Sequence, residues 1–495
     1  MRRLRNRLSY VAAVSAAFAC SGSAQWTSIS LHPPGATRSY ALNGDGDQFV
    51  GFMWPPIDGR ALYWDGIGPS IDLTPAGALG AQAWGVEDGM QVGVAEIQGE
   101  WAAAVWFGTA ESFISINPTT ATRSTANKVR NGVIVGGATI AGVSGAGLWT
   151  NPSHEAYVDL APPGFTNSVV SDTDGQYQVG FTVANSDFNA AVWQGTKESY
   201  LNIHPAGRHE SRAVCIADNM VGGYTTFNTA RDATLWFLPG YTTRNIHPYN
   251  TEPFGYSSSE VWAMADGIQV GYYADHGDPE ASMWEGTSGS WFSLERFLPA
   301  GSNYSRARGI SVDAENMYVL VESQLPVTGP QAYVLVAKRT TTVLPSSAVA
   351  GPGAIISGGL NEIKFSDDSI LRGRPGPVFS TTMAPFQLTV EAECPLANPE
   401  SIEFVLESHA SAAGMNIEIA FYNWQSNSYE VAGTGASFGG DRTMNGYKGG
   451  YVGRYVHPTT RKMRAKVSYK AVAPVFAFPW VVSVDRAVFK VPRVK

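Results

Sequence analysis

The sequence predicts an all-β protein made of a seven-bladed β-propeller followed by a β-sandwich, for which a jelly-roll topology is one form. A repeat of about forty-odd residues runs through the first two-thirds of the chain. The 495 residues include 53 Gly, 29 Pro, 14 Trp, 21 Tyr and 22 Phe, whereas only 15% are charged. This composition is typical of short strands joined by tight loops, and the length exceeds that of one ordinary core.

Three landmarks recur in a fixed order within each repeat. The first is a glycine after an apolar residue, as in Gly222 after Val221, and the second is a small residue three positions before a tryptophan. The third is an apolar residue shortly before a proline, as in Leu298 before Pro299. The tryptophans are Trp64, Trp106, Trp149, Trp193, Trp236 and Trp284, at spacings of 42, 43, 44, 43 and 48 residues. These spacings lie in the range of propeller blades. We expect each indole to fill the wedge between two neighbouring blades.

One period of the repeat divides into four strands. In the fourth copy we predict strands A, B, C and D at 168–171, 177–181, 190–193 and 200–203, with an Asp- and Gly-rich turn between A and B. Four antiparallel strands form one blade.

The ends of the repeat region predict how the ring closes. A lone strand at 26–31 precedes the first copy, and the last copy supplies strands at 305–310, 317–321 and 333–336 but no fourth. Six complete copies and these two fragments make seven blades within residues 25–338. The N-terminal strand would complete the last blade, and this closure removes exposed sheet edges.

The recurring pattern Ala-x-x-Trp-x-Gly, as at 61–66 and 190–195, resembles the HAF repeat of bacterial extracellular proteins. The resemblance covers residues 26–338. It implies an exported, propeller-like repeat protein and no defined activity. The His and Phe that name the HAF motif are missing from every copy here.

Residues 1–24 have the features of a signal peptide. Four arginines precede an apolar stretch at 8–19, and Gly22 and Ala24 suit a cleavage site before Gln25. Residues 17–20 also resemble a lipidation motif that ends at Cys20, but Phe18 is a poor match to that motif. The sequence therefore predicts a protein that is secreted or displayed at the cell surface. No later apolar run is long enough to predict a transmembrane segment.

The distribution of charge argues against one class of partner, and the positions of the cysteines argue against a disulfide. Residues 25–338 carry 14 Lys and Arg against 30 Asp and Glu, whereas the chain from Arg339 onward carries 16 against 12. An acidic propeller repels phosphate backbones, which argues against nucleic acid as a partner. Cys215 and Cys394 lie in different predicted domains, so we expect two small buried residues and no disulfide. We expect a monomer.

The C-terminal part is predicted to be a linker at 339–353 and a β-sandwich at 354–495. Eight strand-like runs occur, at 362–365, 386–393, 401–407, 417–422, 429–431, 451–455, 463–469 and 481–491. The region is similar to sandwich modules appended to bacterial exported proteins, including carbohydrate-binding ones. Its aromatic residues either stack on glycans or serve as ordinary strand residues. The candidates are Tyr422, Trp424, Tyr447, Tyr451 and Tyr455.

Blade topology places the B–C and D–A loops on one face, which is where propellers usually bind ligands, and the A–B and C–D turns on the other. The repeat is least regular around the sixth blade. The candidate ligand-binding residues on the predicted ligand face are His204, His247, Glu252, Tyr272, Asp275, His276, Asp278 and Glu280. Aromatic rings beside His and carboxylates suit a sugar, a cation or acid–base chemistry. Solvated loop residues of ordinary composition are the plainer interpretation.

The sequence contains little that indicates a metal site or a catalytic site. The Asp-rich segments 43–47 and 172–175 have the residue types that bind Ca²⁺, but they fall at A–B hairpins, where Asp and Gly are expected in turns. No nucleophile elbow, zinc motif or P-loop is found in the sequence, and we predict no metal and no cofactor. The sequence favours a non-catalytic extracellular protein that binds a glycan or a cell-envelope component. Two alternatives stay open, a carbohydrate-active hydrolase or lyase with its site near blade 6, and a structural envelope protein attached through the sandwich.

Overall fold

The structure is a computed structural model, and it describes residues 26–54, 59–184, 186–227, 230–248, 257–275, 277–325, 329–367, 369–379, 382–412, 414–437, 442–471 and 480–492. It is all-β, as predicted. Helical structure in these residues is confined to short 3₁₀ turns. These are Ala110–Ser112, His154–Ala156, Lys197–Ser199, Glu295–Phe297, Asn361–Ile363 and Gly453–Tyr455.

The first part of the chain forms seven antiparallel groups of four strands, here blades 1 to 7, each with strands A to D from the inside outward. Five of them are separate sheets, and a single parallel bridge between Ser144 and Asn167 joins blades 3 and 4 into one eight-stranded sheet. Blade 1 consists of Arg38–Asp45, Gln48–Trp54, Arg60–Asp65 and Ile71–Asp72. Blade 2 consists of Gly80–Glu87, Met90–Ile97, Glu100–Trp106 and Ile114–Ser115. Blade 3 consists of Ala121–Arg130, Val133–Ile140, Val143–Trp149 and Tyr157–Asp159. Blade 4 consists of Asn167–Thr173, Gln178–Ala184, Asp187–Trp193 and Leu201–Asn202.

The remaining blades complete a ring. Blade 5 consists of Ser211–Ala217, Met220–Phe227, Ala230–Phe237 and Thr242–Asn245. Blade 6 consists of Ser257–Ala265, Ile268–Asp275, Glu280–Trp284 and Phe292–Ser293. Blade 7 consists of Tyr304–Val312, Asn316–Gln324, Gln331–Lys338 and, as its D strand, the N-terminal Thr27–Ser30. The A strand of every blade packs against the A strands of both neighbours, and blade 7 packs against blade 1. The first part is therefore a β-propeller.

The repeated tryptophan lies at the interface between blades. All six indoles are at most 1% exposed. Trp149 of blade 3, for example, shares a buried cluster with Val92 and Val105 of blade 2. In blade 7 the equivalent position, three residues after Ala332, is Leu335, which packs against Val270 and its neighbours in blade 6.

The repeated glycine is required by a β-bulge that every A strand has at the same position. In blade 4 the bulge brings the carbonyl oxygen of Val169 towards Gly180, where a Cβ atom would lie only 1.9 Å from it. The equivalent distances in the other five blades that have this glycine are 1.8–2.0 Å. In blade 5 the glycine in this position is Gly223, one residue after the predicted Gly222, and in blade 7 the position is Val321.

The apolar residue before the proline also has a constant role. In all seven blades its N–H donates a hydrogen bond to the carbonyl of the small residue three positions before the Trp or Leu. One example is Ile203 to Ala190, at 2.9 Å. In blade 6 the donor is Leu294 and not Leu298 as the sequence predicted, because the turn Glu295–Phe297 is inserted between them.

The C-terminal part contains two sheets that share one hydrophobic core. The six-stranded sheet consists of Thr340–Val343, Ala354–Ser357, Leu371–Arg374, Ser401–Ala410, Arg442–Gly449 and Val482–Pro492. The five-stranded sheet consists of Ser347–Ala350, Phe386–Glu393, Met415–Asn423, Ser428–Ala436 and Lys462–Ala471. Phe386 and Phe404 come from different sheets and are both fully buried between them.

The structure differs from the predicted details of this part in three places. The predicted linker contributes strands Thr340–Val343 and Ser347–Ala350, because its alternating residues pair with neighbouring strands of the two sheets. The predicted strands at 362–365 and 451–455 lie instead around 3₁₀ turns. Arg442–Gly449 is a strand that the sequence did not predict, since its Gly and Asn content disfavours one. Across the described ranges, no helix has the length and hydropathy of a membrane span.

Candidate functional site

The two faces of the propeller differ in what covers them. The sandwich contacts blade 6 beyond the end of its C strand, where Glu285 forms ion pairs with Arg486 and Lys490. The Thr443 hydroxyl donates to the Gly289 carbonyl at 2.9 Å in the same C–D connection. The face with the D–A and B–C loops lies at the other end of the strands, where the channel opens between the A strands.

At this end of the ring, the A strands carry half-buried side chains. In blade 7 Tyr304, Arg306 and Arg308 alternate with fully buried residues, because successive side chains of a strand point to opposite sides. Arg212 of blade 5 and Trp262 of blade 6 are half-buried as well, at the positions equivalent to Arg306 and Arg308 of blade 7. We call this group, together with the rings and charges packed on it, the channel mouth.

Each unpaired arginine of the channel mouth is packed against three aromatic rings. The guanidinium carbon of Arg212 lies 3.6 Å and 4.6 Å from the ring centroids of Phe188 and Phe181, and 6.0 Å from that of Tyr224. Cations at such distances from ring faces are attracted by the ring quadrupole.

The second such arginine is Arg306 on blade 7. Its guanidinium carbon lies 4.8 Å from the ring of Tyr304, 5.1 Å from that of Tyr272 and 5.5 Å from that of Trp262. The neighbouring Arg308 lies over Trp262 at 4.1 Å. Rings from blades 6 and 7 thus hold both side chains in place.

Two other arginines of the mouth are neutralised. Arg231 donates to Glu260 at 2.9 Å, and Arg308 Nε donates to Glu322 at 2.6 Å. Burial raises the pKa of Glu260, and the charge of Arg231 opposes that rise. Both carboxylates are therefore committed to an internal partner.

Arg212 and Arg306 have no such partner. In the part of the chain that the structure describes, neither forms a hydrogen bond or an ion pair, and the Nε atom of each is buried without an acceptor. The hydroxyl of Tyr224 is likewise buried without a partner, and that residue is 1% exposed. Unsatisfied buried polar groups are costly and mark places where a ligand or water completes the bonding.

Blade 1 adds an apolar surface at the same end of the ring. The rings of Tyr40 and Phe52 stack at 4.8 Å, and Trp54 meets Phe52 edge-on at 4.9 Å. All three are half-buried. Because blade 1 adjoins blade 7, this surface lies next to the arginines of blade 7.

The predicted histidines have internal partners. In His204, Nδ1 is 2.8 Å from the Ser211 hydroxyl and Nε2 is 3.1 Å from the Arg208 carbonyl. In His247 the ring nitrogens bond Ser259 at 2.7 Å and Ser257 at 2.9 Å.

The serine in each case continues the connection to the next blade. The Ser211 hydroxyl accepts the N–H of Ala190 at 2.9 Å, and the Ser259 hydroxyl accepts that of Ala233 at 2.9 Å. The structure therefore shows His204 and His247 linking adjacent blades.

The other predicted residues divide between two places. Tyr272 is buried in the channel mouth, 7% exposed. Asp275 and Glu280 line a cleft of about 600 Å³ between the outer edge of blade 6 and the sandwich, beside Trp291. Asp278 is exposed near this cleft. The remaining two predicted residues, Glu252 and His276, lie outside the described residues.

The Asp-rich turns use their polar atoms within the protein. Asn43 Oδ1 accepts the N–H of Val86 at 3.1 Å, and Asp172 accepts that of Ile216 at 3.1 Å, so each bridges to the next blade. Asp174 accepts the N–H groups of Gln176 and Tyr177 within its own hairpin. A group of three or more His, Cys, Asp or Glu side chains suited to a metal is absent from the described part of the chain.

The aromatic residues of the sandwich are only partly brought together. Tyr422 and Trp424 meet at 4.9 Å, with Arg464 over both rings at 4.9 Å and 4.8 Å. Tyr451 is 69% exposed, whereas Tyr455 is 2% exposed and belongs to the core.

The channel mouth was not predicted, apart from Tyr272. Its residues come from five blades, and in sequence they are separated by whole repeats. One signal was present, since the register position just before the bulge is polar in several copies and holds Arg212, Glu260 and Arg306. This register position can be recognised in the sequence only when the place of the bulge in the A strand is known.

No known family model matches the sequence, and no curated protein matches it either. Among solved structures, the chain is similar to the β-propeller domain of the Trilobed protease from Pyrococcus furiosus, at 10% identity and a TM-score of 0.39, over 61% of this chain and 97% of that one. The GH74 enzyme of Niastella koreensis matches at 10% identity and 0.41, over 86% and 73%. TolB from Acinetobacter baumannii matches at 10% identity and 0.33, over 51% of this chain and 61% of that one, so the match spans about three fifths of TolB's length.

Proposed function

We propose that this chain is an exported, non-catalytic binding protein whose ligand occupies the channel mouth. The observation that supports this most directly is the pair Arg212 and Arg306, which are fixed by aromatic rings while their donors stay unused. Folded proteins satisfy buried donors almost everywhere, so a cluster of unsatisfied ones among aromatic rings favours a ligand site.

Export is supported by the sequence. The N-terminal basic and apolar segment is typical of a signal peptide, and the HAF-like repeat occurs in extracellular proteins. The C-terminal sandwich would then serve as an accessory module for a glycan or for attachment to the cell envelope.

The test is a search for a captured ligand. The mature chain, residues 25–495, is applied to an array of neutral and acidic oligosaccharides, and the affinity for any retained glycan is measured by calorimetry. We expect Trp262→Ala to weaken binding at least tenfold, because its ring supports Arg306 and Arg308 together. Phe107→Ala is the matched control, since that ring is 46% exposed in a C–D connection on the opposite face.

Melting temperatures of both variants separate loss of binding from loss of folding, and Trp262→Phe should retain part of the affinity. An unchanged affinity in Trp262→Ala would contradict the proposed location. Release of shorter sugars from the retained glycan would contradict the non-catalytic assignment.

A hydrolase is the second candidate, because Asp275 and Glu280 line one cleft large enough for an oligosaccharide.

A further inference from the structure

We propose that the ligand of the channel mouth is an acidic oligosaccharide, whose sugar carboxylates are bound by Arg212 and Arg306. This inference rests on the proposed function and adds the chemical class of the ligand.

The geometry of the arginines determines which atoms remain for a ligand. A guanidinium is planar, and its five N–H groups lie in that plane and point outward from the edge. The N–H groups of Arg212 and Arg306 form no hydrogen bond within the described residues, so these donors remain for a ligand. Arg212 is held by Phe181 and Phe188, and Arg306 by Tyr272, Tyr304 and Trp262. An edge with two parallel N–H groups matches a carboxylate, which it binds through two hydrogen bonds.

Neighbouring arginines of the channel mouth form ion pairs with buried glutamates, whereas Arg212 and Arg306 do not. Arg231 and Arg308 each have a buried glutamate partner in the same mouth. Arg212 and Arg306 lie in equivalent positions of blades 5 and 7, on either side of Glu260 of blade 6. If their role were only packing against rings, an apolar side chain would serve without burying an unsatisfied Nε atom.

A third polar group points to the same ligand. The Tyr224 hydroxyl is buried without a partner beside the ring cluster that holds Arg212. Burial raises the pKa of Tyr224 to about 12, so the hydroxyl keeps its proton and can donate. A sugar hydroxyl or a carboxylate oxygen would satisfy it.

The surroundings favour a sugar over other anions. The half-buried rings of Tyr40, Phe52 and Trp54 offer apolar surface on which the C–H face of a pyranose packs. The excess of acidic residues in the propeller disfavours dense polyphosphates. A carboxylate carried on a sugar ring combines isolated charges with an apolar face.

The experiment compares an acidic sugar with its neutral counterpart and with a carboxylate that is not carried on a sugar. The mature chain is titrated with trigalacturonate, with the neutral galactose trimer and with a peptide bearing a free carboxyl terminus. We expect trigalacturonate to bind at least thirtyfold more tightly than the neutral trimer. Arg212→Gln and Arg306→Gln should each weaken it about tenfold or more, because charged hydrogen bonds are lost.

Arg130→Gln is the matched control, because Arg130 lies at an A–B turn on the opposite face. Arg212→Lys should bind with intermediate affinity, since it keeps the charge and loses the two-pronged geometry.

The outcomes separate this inference from the proposed function. The neutral trimer and trigalacturonate could bind with equal affinity, and that binding could be lost in Trp262→Ala but not in the arginine variants. This result would overturn the assignment of an acidic ligand, while the proposed site at the channel mouth would stand. Tighter binding of the peptide than of trigalacturonate would overturn the assignment of a sugar ligand. Binding of no ligand by a folded protein, or binding that none of the mouth variants alters, would overturn both.

Discussion

A histidine at the start of a D–A loop makes the same two bonds in more than one blade. His32 contacts the Ser39 hydroxyl at 2.7 Å and the Ala36 carbonyl at 3.1 Å, and His204 has equivalent partners at 2.8 and 3.1 Å. In blade 3 an asparagine replaces the imidazole. Asn117 accepts from Ser124 at 2.5 Å and donates to the Ala121 carbonyl at 3.1 Å. At this scale the imidazole acts through its two nitrogens and not through its charge.

This equivalence predicts the effect of substitutions at His204. His204→Ala removes the bonds to the Arg208 carbonyl and to the Ser211 hydroxyl, which keeps only the Ala190 N–H, and we expect it to lower the free energy of unfolding by about 1–2 kcal/mol. His204→Asn reproduces the arrangement at Asn117 and should cost less than about 0.5 kcal/mol. Chemical denaturation measures both. Equal destabilisation by Ala and Asn would show that the bonds are not what stabilises this loop.

The blades repeat an element whose backbone explains its residues. The A-strand bulge brings a carbonyl so close to the B strand that a Cβ atom has no room at Gly180 or at the equivalent glycines of five other blades. This regularity made the blades predictable, because the glycine and the interface tryptophan recur at short range in every copy. The insertion after Leu294 and the doubled glycine of blade 5 were misassigned, because the sequence does not show which of two similar neighbours occupies the register position.

A pair of alanine substitutions tests the bulge. In Gly180→Ala the new methyl would overlap the Val169 carbonyl at 1.9 Å, and we expect a loss of about 3 kcal/mol in unfolding free energy. Gly240→Ala is the control, because no atom lies within 4 Å of its added Cβ. That variant should change stability by less than about 0.5 kcal/mol. A tolerated Gly180→Ala, judged by the denaturation midpoint, would mean that the blade can shift its register.

At the scale of the whole molecule, charges fasten the sandwich to the propeller. Glu285 is mostly buried between Arg486 and Lys490. Thr287 of the same connection bonds Ser366 of the sandwich. The sequence showed an acidic first part and a basic second part, but not which residues meet, because these partners lie about two hundred residues apart in the chain. The channel mouth escaped prediction for the same reason.

The junction gives the protein a pH dependence with a definite sign. Burial alone would raise the pKa of Glu285, but the charges of Lys490 and Arg486 outweigh it and hold that pKa well below its ordinary value. A group whose pKa is lowered by folding stabilises the protein above its unfolded pKa, about 4.3, and loses that contribution as the pH falls below it. We expect acid to loosen the junction first.

Glu285→Gln should remove this dependence and leave two buried cations unpaired, at a cost of about 3 kcal/mol at neutral pH. Calorimetric scans from pH 7 to pH 3 measure both effects. Asp72→Asn breaks an exposed pair with Arg60 and should change little. A parallel pH slope in wild type and Glu285→Gln would show that other carboxylates govern the acid response.

The N-terminal strand that completes blade 7 has a consequence for how the protein is made. Ile29 pairs with Val334, so a residue that precedes all seven A strands finds its partner only after the rest of the ring has been synthesised. During synthesis from the N-terminus, this strand stays without its sheet while six blades stack one after another, and the ring stays open until the final hairpin emerges. The strand that closes the propeller is therefore made before all of the blades that it closes.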